Sequence, residues 1–233
     1  MYFVNWQRDV SVEVMNGQKV MVKQNKRTKL FHEFLLVYAY SLFSILLFHP
    51  SSPPTLSEIN RNEGDETRNK LKEIGIPTPR LFSMSDGKLV EEYVEGGDLY
   101  LVLGSGSNTM LAYQAGSITA KLHNAGYSFI DNKAQNYLVR GNSIIRTDLG
   151  FMKQNCSLYS KSIDIGSFLA SVMDLDNYNE IFKSFHAGYL AESGSNFSYL
   201  SIIIRNILSV GFSSTVRIML KNMVLDARES IGI

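Results

Sequence analysis

Residues 128–150 read SFIDNKAQNYLVRGNSIIRTDLG, and their layout decides the fold. An acid, Asp131, stands on a loop and an amide, Asn136, follows on the way into a short strand. A Gly141-Asn142 turn and a second strand come next, then a second acid, Asp148, in Asp148-Leu149-Gly150. Carboxylate and amide oxygens at the two ends of a hairpin are hard ligands, suited to a divalent cation and the phosphates that accompany it. Asp and Asn are also ordinary turn formers, so D-x-x-x-x-N alone is a weak signal. It becomes specific through its context, with the hairpin, the D-L-G and an upstream Leu122-His123 all in place.

Working outward, the stretch Asn108 to Ala125 has helical spacing and stops at Gly126, and nearly everything after Ser162 has helical rhythm. The first part of the chain differs. VSVEVMNGQKVMVK, residues 10–23, alternates apolar positions around Asn16-Gly17, a pair that accepts the positive φ angles of a tight hairpin turn. Residues 1–6 are expected to add a strand. A polar helix is predicted from about Glu58 to Ile74, and two strands, RLFSM and KLVEEYV, around Ser85-Asp86-Gly87. The expectation is an α+β fold: a strand-rich lobe over residues 1–95, with a helical insert at about 30–50, and a mainly helical lobe over 96–233.

Composition bounds the class. A chain of 233 residues, 45% hydrophobic and 19% charged, can bury one large core or two modest lobes. A formal charge of +1 supports no direct nucleic acid contact. Cys156 is the only cysteine, so no intramolecular disulfide forms and a reducing, cytoplasmic setting is expected. The N-terminus lacks the pattern of a cleaved leader, so export is not expected. From Phe34 to Phe48 the run FLLVYAYSLFSILLF carries no charge. It falls short of the roughly 20 apolar residues of a span, which leaves a buried or partner-covered helix, or a peripheral contact with a membrane surface.

Taken together, residues 118–150 resemble the catalytic core of the protein-kinase-like fold, and look closest to its small atypical members: RIO kinases, the kinase/ATPase subunit of the KEOPS complex and the lipopolysaccharide (Kdo) kinases. The resemblance runs from residue 1 to about 170. It implies ATP and Mg²⁺, with Asn136 and Asp148 as metal ligands and Asp131 as the group that orients or deprotonates the attacking hydroxyl. Lys23, ending VMVK, matches the lysine that holds the α/β-phosphates. Met21 and Leu138 match the two sides of the adenine pocket. LVEEYVEGG resembles the hinge, so backbone groups of Glu92, Tyr93 and Val94 are expected to meet the base. Asp164 resembles the helix aspartate that braces the catalytic loop, and His123 a structural histidine. The acid expected to pair with Lys23 is Glu63, which shares a helical face with Thr67, Leu71 and Ile74, whereas Glu66 faces Lys70 on the solvated side.

Three departures from the pattern stand out. Phe129-Ile130 precede Asp131 where many kinases carry His-Arg, which leaves no receptor for activation-loop phosphorylation. Trp6-Gln7-Arg8-Asp9 contains no glycine, so the usual backbone cradle for phosphate is degenerate. No A-P-E lies between Gly150 and Asp164, so a peptide-docking platform is missing. The main expectation is a Mg-ATP-dependent phosphotransferase, acting as an atypical serine/threonine protein kinase or as an ATPase within a partner complex. A nucleotide-binding pseudokinase module, and a kinase of lipid or sugar hydroxyls, stay open as alternatives.

Overall fold

The Asn16-Gly17 turn sets the register of the first strand pair. Asn16 and Gly17 take φ of 51° and 77°, the left-handed values such a turn requires. They join β1 (Arg8–Met15) to β2 (Gln18–Asn25). The computed structural model describes residues 7–85, 87–106, 108–154 and 156–212. The strand expected over residues 1–6, the turn residue Asp86 and everything past residue 212 lie outside these.

β2 pairs next with β4 (Lys88–Glu92), and β4 with β3 (Leu81–Ser85), giving an antiparallel sheet of order β1-β2-β4-β3. Met21 pairs with Glu91 and Lys23 with Leu89, so these four side chains share a face of the sheet. The other face carries Val20, Val22 and Val90 as a small apolar cluster.

The expected insert is α1 (Lys29–Leu46), and it differs from a buried helix. Its buried residues are Lys29, Glu33, Tyr40 and Ser44. Lys29 bonds to Glu33 at 3.0 Å and to Asn60 at 2.7 Å. Its apolar side chains, Phe31, Phe34, Leu35, Tyr38, Leu42 and Ile45 among them, are exposed. The helix is long and apolar enough to cross a membrane by length and composition, and only 22% of that stretch is buried. Within the described residues the chain itself does not cover this face.

The polar helix expected from Glu58 to Ile74 is two helices, α2 (Leu56–Arg61) and α3 (Asp65–Glu73). Thr55 and Glu58 form a capping box that starts α2. Gly64 caps α3 from an extended conformation, so the break falls beside Glu63.

After the sheet the chain turns helical, with α4 (Leu99–Gly104), α5 (Met110–Asn124), α6 (Leu158–Ser171), α7 (Tyr178–Ser193) and α8 (Tyr199–Phe212). One large core, which includes Phe129, Tyr137, Phe168 and Phe185, joins α4 to α7, and a second cluster of Tyr40, Tyr159, Ile163, Leu200 and Ile204 seats α8 and one side of α1 on α6. Two small pairings sit above the large core. β5 (Tyr127–Ser128) pairs with β8 (Lys153–Gln154), and β6 (Tyr137–Arg140) with β7 (Ser143–Arg146). The protein is α+β, with an antiparallel-sheet N-terminal region and a helical C-terminal region, in keeping with a kinase-like fold.

Candidate active site

A cleft of about 420 Å³ opens between the sheet and the helical region, lined by Val10, Met21, Lys23, Glu91, Tyr93, Val94, Asn136, Leu138 and Asp148 among others. It gathers residues from Gln7 to Asp148, far apart in the sequence. A second cavity, of about 320 Å³, lies around Lys29, Asn60 and Met84 and shares only Arg8 with the cleft. Of the residues singled out from the sequence, the cleft carries Met21, Lys23, Tyr93, Val94, Asn136, Leu138 and Asp148, while Glu63 lines its neighbour.

The chain crosses from sheet to helices at Glu92–Gly97. A Cβ on Gly96 would overlap the Val139 carbonyl, so this crossing can lie on β6 only with glycine there. Val139 donates its N–H to Gly97 O at 2.9 Å and Leu138 bridges to Asp98, which fixes Leu138 below the crossing. Glu92 N–H is already given to Arg80 O at 2.8 Å. The hinge expected at Glu92 to Val94 therefore narrows, for donors, to Tyr93 and Val94, whose peptide groups make no backbone bond among the described residues. The Glu92 side chain is engaged as well, with Arg140 at 2.5 Å.

The residues around Asp131 are held from below. Asp164, fully buried in α6, accepts the N–H groups of Phe129 at 2.7 Å and Ile130 at 2.5 Å, and contacts His123 at 3.0 Å. These bonds hold Ile130 at φ 62°, a costly conformation for a β-branched residue. Asp131 is thereby presented outward, with Lys133 at 2.9 Å from its carboxylate. Asn136 donates its amide to Asp131 O at 2.8 Å and to Asp131 Oδ2 at 3.2 Å. With both amide protons spent, its side-chain oxygen is the end left for a cation.

Asp148 sits at φ 59° at the cleft's inner edge. Burial pushes its carboxyl up, but the Arg8 and Lys23 cations more than reverse this and hold it below the usual carboxylate range. A lone acid and an amide oxygen are a thin ligand set. That fits Mg²⁺, which keeps waters and substrate phosphates as its other ligands. Among the described residues no three His, Cys, Asp or Glu side chains gather into a denser metal cluster.

Glu63 is buried at 3% exposure, but it sits in the turn between α2 and α3 rather than on a helical face, and it does not pair with Lys23. It accepts Gly150 N–H at 3.1 Å and faces Arg8 at 3.4 Å. Burial, only partly offset by Arg8, pushes its carboxyl above the ordinary range, and Oε2 has no hydrogen-bond partner. Lys23 pairs instead with Glu91 at 2.5 Å and donates to Thr147 Oγ1 at 2.9 Å. Glu66 is exposed and bonds to Lys70 at 2.7 Å, as its position predicts.

Five site residues escaped the sequence reading: Arg8, Glu91, Lys133, Arg146 and Thr147. Arg146 is wholly buried, with Phe129 and Tyr137 rings 4.2 Å and 5.0 Å from its guanidinium. A cation directly after two isoleucines in a four-residue strand was the available signal, since such a charge must find partners inside.

No protein-family model matches the chain. It is 26% identical over 134 residues to a probable bifunctional tRNA threonylcarbamoyladenosine biosynthesis protein of Methanosarcina mazei, a match covering 57% of this chain and 23% of that protein. It is 25% identical over 122 residues to a probable serine/threonine-protein kinase BUD32 homolog of Archaeoglobus fulgidus, covering 52% of this chain and 60% of that one. An EKC/KEOPS complex subunit BUD32 of Encephalitozoon cuniculi is 27% identical over 128 residues, 54% of this chain and 64% of that protein. The chain thus spans about a quarter of the bifunctional relative and under two thirds of the BUD32 relatives. Sequence similarity and fold agree: the chain is similar to atypical protein-kinase-like proteins of the Bud32 kind.

Proposed function

We propose that this chain is a Mg-ATP-dependent phosphotransferase of the atypical kinase type, working as a protein kinase or as an ATPase inside a complex. One observation carries the reading. Lys23, Asn136 and Asp148, far apart in sequence, line a single cleft, with Asp131 hydrogen-bonded to Asn136. Adenine fits between Met21 and Leu138 against the Tyr93 and Val94 backbone. Lys23 then reaches the phosphates, and Asp148 and the Asn136 oxygen are the residues to hold Mg²⁺, which would neutralise phosphate charge. Asp131 accepts the proton of the acceptor hydroxyl or water, with Lys133 beside it to meet the transferred group.

The names of the relatives extend the reading to a role in tRNA threonylcarbamoyl modification within a protein assembly. A second reading, a nucleotide-binding module without turnover, is favoured by Arg8, which stands where the cradle of glycines is missing and is engaged with Glu63. ATP hydrolysis measured with and without Mg²⁺, alongside radiolabel transfer to itself and to generic protein, separates the two. Mg²⁺-dependent turnover supports the enzyme. Tight Mg-ATP binding with no turnover and no transfer leaves the module.

A further inference from the structure

We propose that Glu91, on β4, is the residue that positions Lys23 for its phosphate contact, in place of Glu63, and that Arg68 ties α3 to this same carboxylate. The inference rests on the phosphotransferase reading. Register alone brings the pair together. Met21 pairs with Glu91 and Lys23 with Leu89, so Lys23 and Glu91 are diagonal neighbours on the cleft face of adjacent strands, within reach of long side chains.

The hydrogen bonds close a ring. Lys23 donates to Glu91 Oε1 at 2.5 Å and to Thr147 Oγ1 at 2.9 Å, and Thr147 passes its own proton to Glu91 Oε1 at 3.2 Å. An ammonium has three protons, so this ring uses two and leaves the third for a ligand. Thr147 directly precedes Asp148 in the chain, so the ring also connects the lysine to the segment that carries the candidate metal ligand.

Glu91 Oε2 is equally committed. It accepts Arg68 Nη2 at 3.1 Å, and Arg68 Nη1 donates to Pro79 O at 2.9 Å. Glu91 is 1% exposed and Arg68 is 6% exposed, so both charges are held by these partners rather than by water. The ion pair between helix and sheet is therefore built with its signs exchanged, cation on the helix and anion on the strand. Lys23 takes its alignment from a rigid strand, and Glu63 is free to hold Gly150 and Arg8.

The test uses the full chain with Glu91→Gln, Glu91→Asp and Glu63→Gln. Two quantities are read: acylation of Lys23 by an amine-reactive ester, located by mass spectrometry, and the kcat and KM for ATP. With Lys23 released, Glu91→Gln raises its acylation several-fold over wild type and lowers kcat/KM by about 10²-fold, the size expected when a contact group is misplaced by about 1 Å. Glu91→Asp, which keeps the buried charge but shortens its reach, falls between the two and serves if the glutamine variant does not fold. Glu63→Gln leaves Lys23 acylation at the wild-type rate. Lys23 acylation that rises in Glu63→Gln and not in the Glu91 variants overturns the assignment whatever the activity. A wild-type protein that neither binds nor turns over Mg-ATP overturns the phosphotransferase reading instead, and the acylation arm still reports which acid holds the lysine.

Discussion

Arg146 donates from its guanidinium to the main-chain carbonyl of Asp131 at 2.9 Å, so the loop carrying the candidate base is pinned to the strand that runs into Asp148. The same group reaches Asn136 O at 3.3 Å and Asp148 O at 3.4 Å. One buried cation thus ties together the backbone of the three residues on which the site depends. Replacing it with methionine keeps the bulk between Phe129 and Tyr137 but removes the guanidinium, leaving Asp131 O to the Asn136 amide and Lys133 N–H, and Asn136 O to Thr147 N–H. Arg146→Met is expected to lose about 2–4 kcal/mol in urea unfolding, and lysine, with no fork, to recover little of it. Urea unfolding unchanged from wild type in Arg146→Met would mean that the remaining donors suffice and that Arg146 does not hold the loop.

Asp148 and Asp131 divide binding from chemistry. Asp148 holds φ 59°, which asparagine tolerates, so Asp148→Asn keeps the backbone while removing the charge. Titration with a fluorescent nucleotide is expected to show its Mg²⁺-dependent affinity lost in a folded protein. Asp131→Asn keeps nucleotide affinity and lowers turnover by about 10² to 10⁴, the range for a general base. Equal loss of affinity in both variants would make Asp131 a structural group.

Glu63 and Glu66 are three residues apart and predict opposite outcomes. Glu63→Gln still accepts Gly150 N–H but removes the carboxylate 3.4 Å from Arg8, whose side chain is 9% exposed and which keeps the fields of Asp148 and Glu91. A loss of about 3 kcal/mol is expected, with turnover reduced through the shifted Asp148-Leu149-Gly150 segment. Glu66→Gln leaves both the melt and the turnover at wild-type level, because an exposed pair with Lys70 is screened by water. Matching phenotypes for the two variants would show that burial at Glu63 carries no more weight than the exposed Glu66 pair.

The contrast between these acids shows what the sequence could reveal. The inward side of α3 was legible because helical spacing puts Thr67 and Leu71, both buried, on one face, whereas Glu63, counted on that face, falls in the turn before the helix. The Asn16-Gly17 hairpin and the Asp131-to-Gly150 layout were legible because each is local, with turn chemistry or fixed spacing to mark it. The partner of Lys23 was not. Glu91 lies in LVEEYVEGG, where backbone contacts alone were weighed, and its face follows only once β2 is known to pair with β4 across the intervening helices. Nor could α1 be read, since a run apolar on every side does not say which side turns inward. Lys29 and Glu33 decide it, through each other and Asn60.

The Glu91 pairing also makes stability depend on pH in a stated direction. Burial opposes ionisation of Glu91, but Lys23 and then Arg68 and Thr147 outweigh it, and its carboxyl lies below the ordinary value of 4.5. A group that binds its proton less readily when folded contributes stability at pH values above its unfolded pKa. That contribution is complete at neutral pH, begins to shrink as pH falls past 4.5, and is gone below the depressed folded value. Glu91→Gln lacks the charge at every pH, and leaves Lys23 and Arg68 without their anion throughout. The stability difference between wild type and Glu91→Gln is therefore expected to be largest at pH 7 and to narrow steadily on acidification below about pH 4.5. Urea unfolding of the two proteins at pH 7, 5 and 4 measures it directly. A gap that stays constant across this range would show that Glu91 acts by packing, and that its charge is not what holds Lys23.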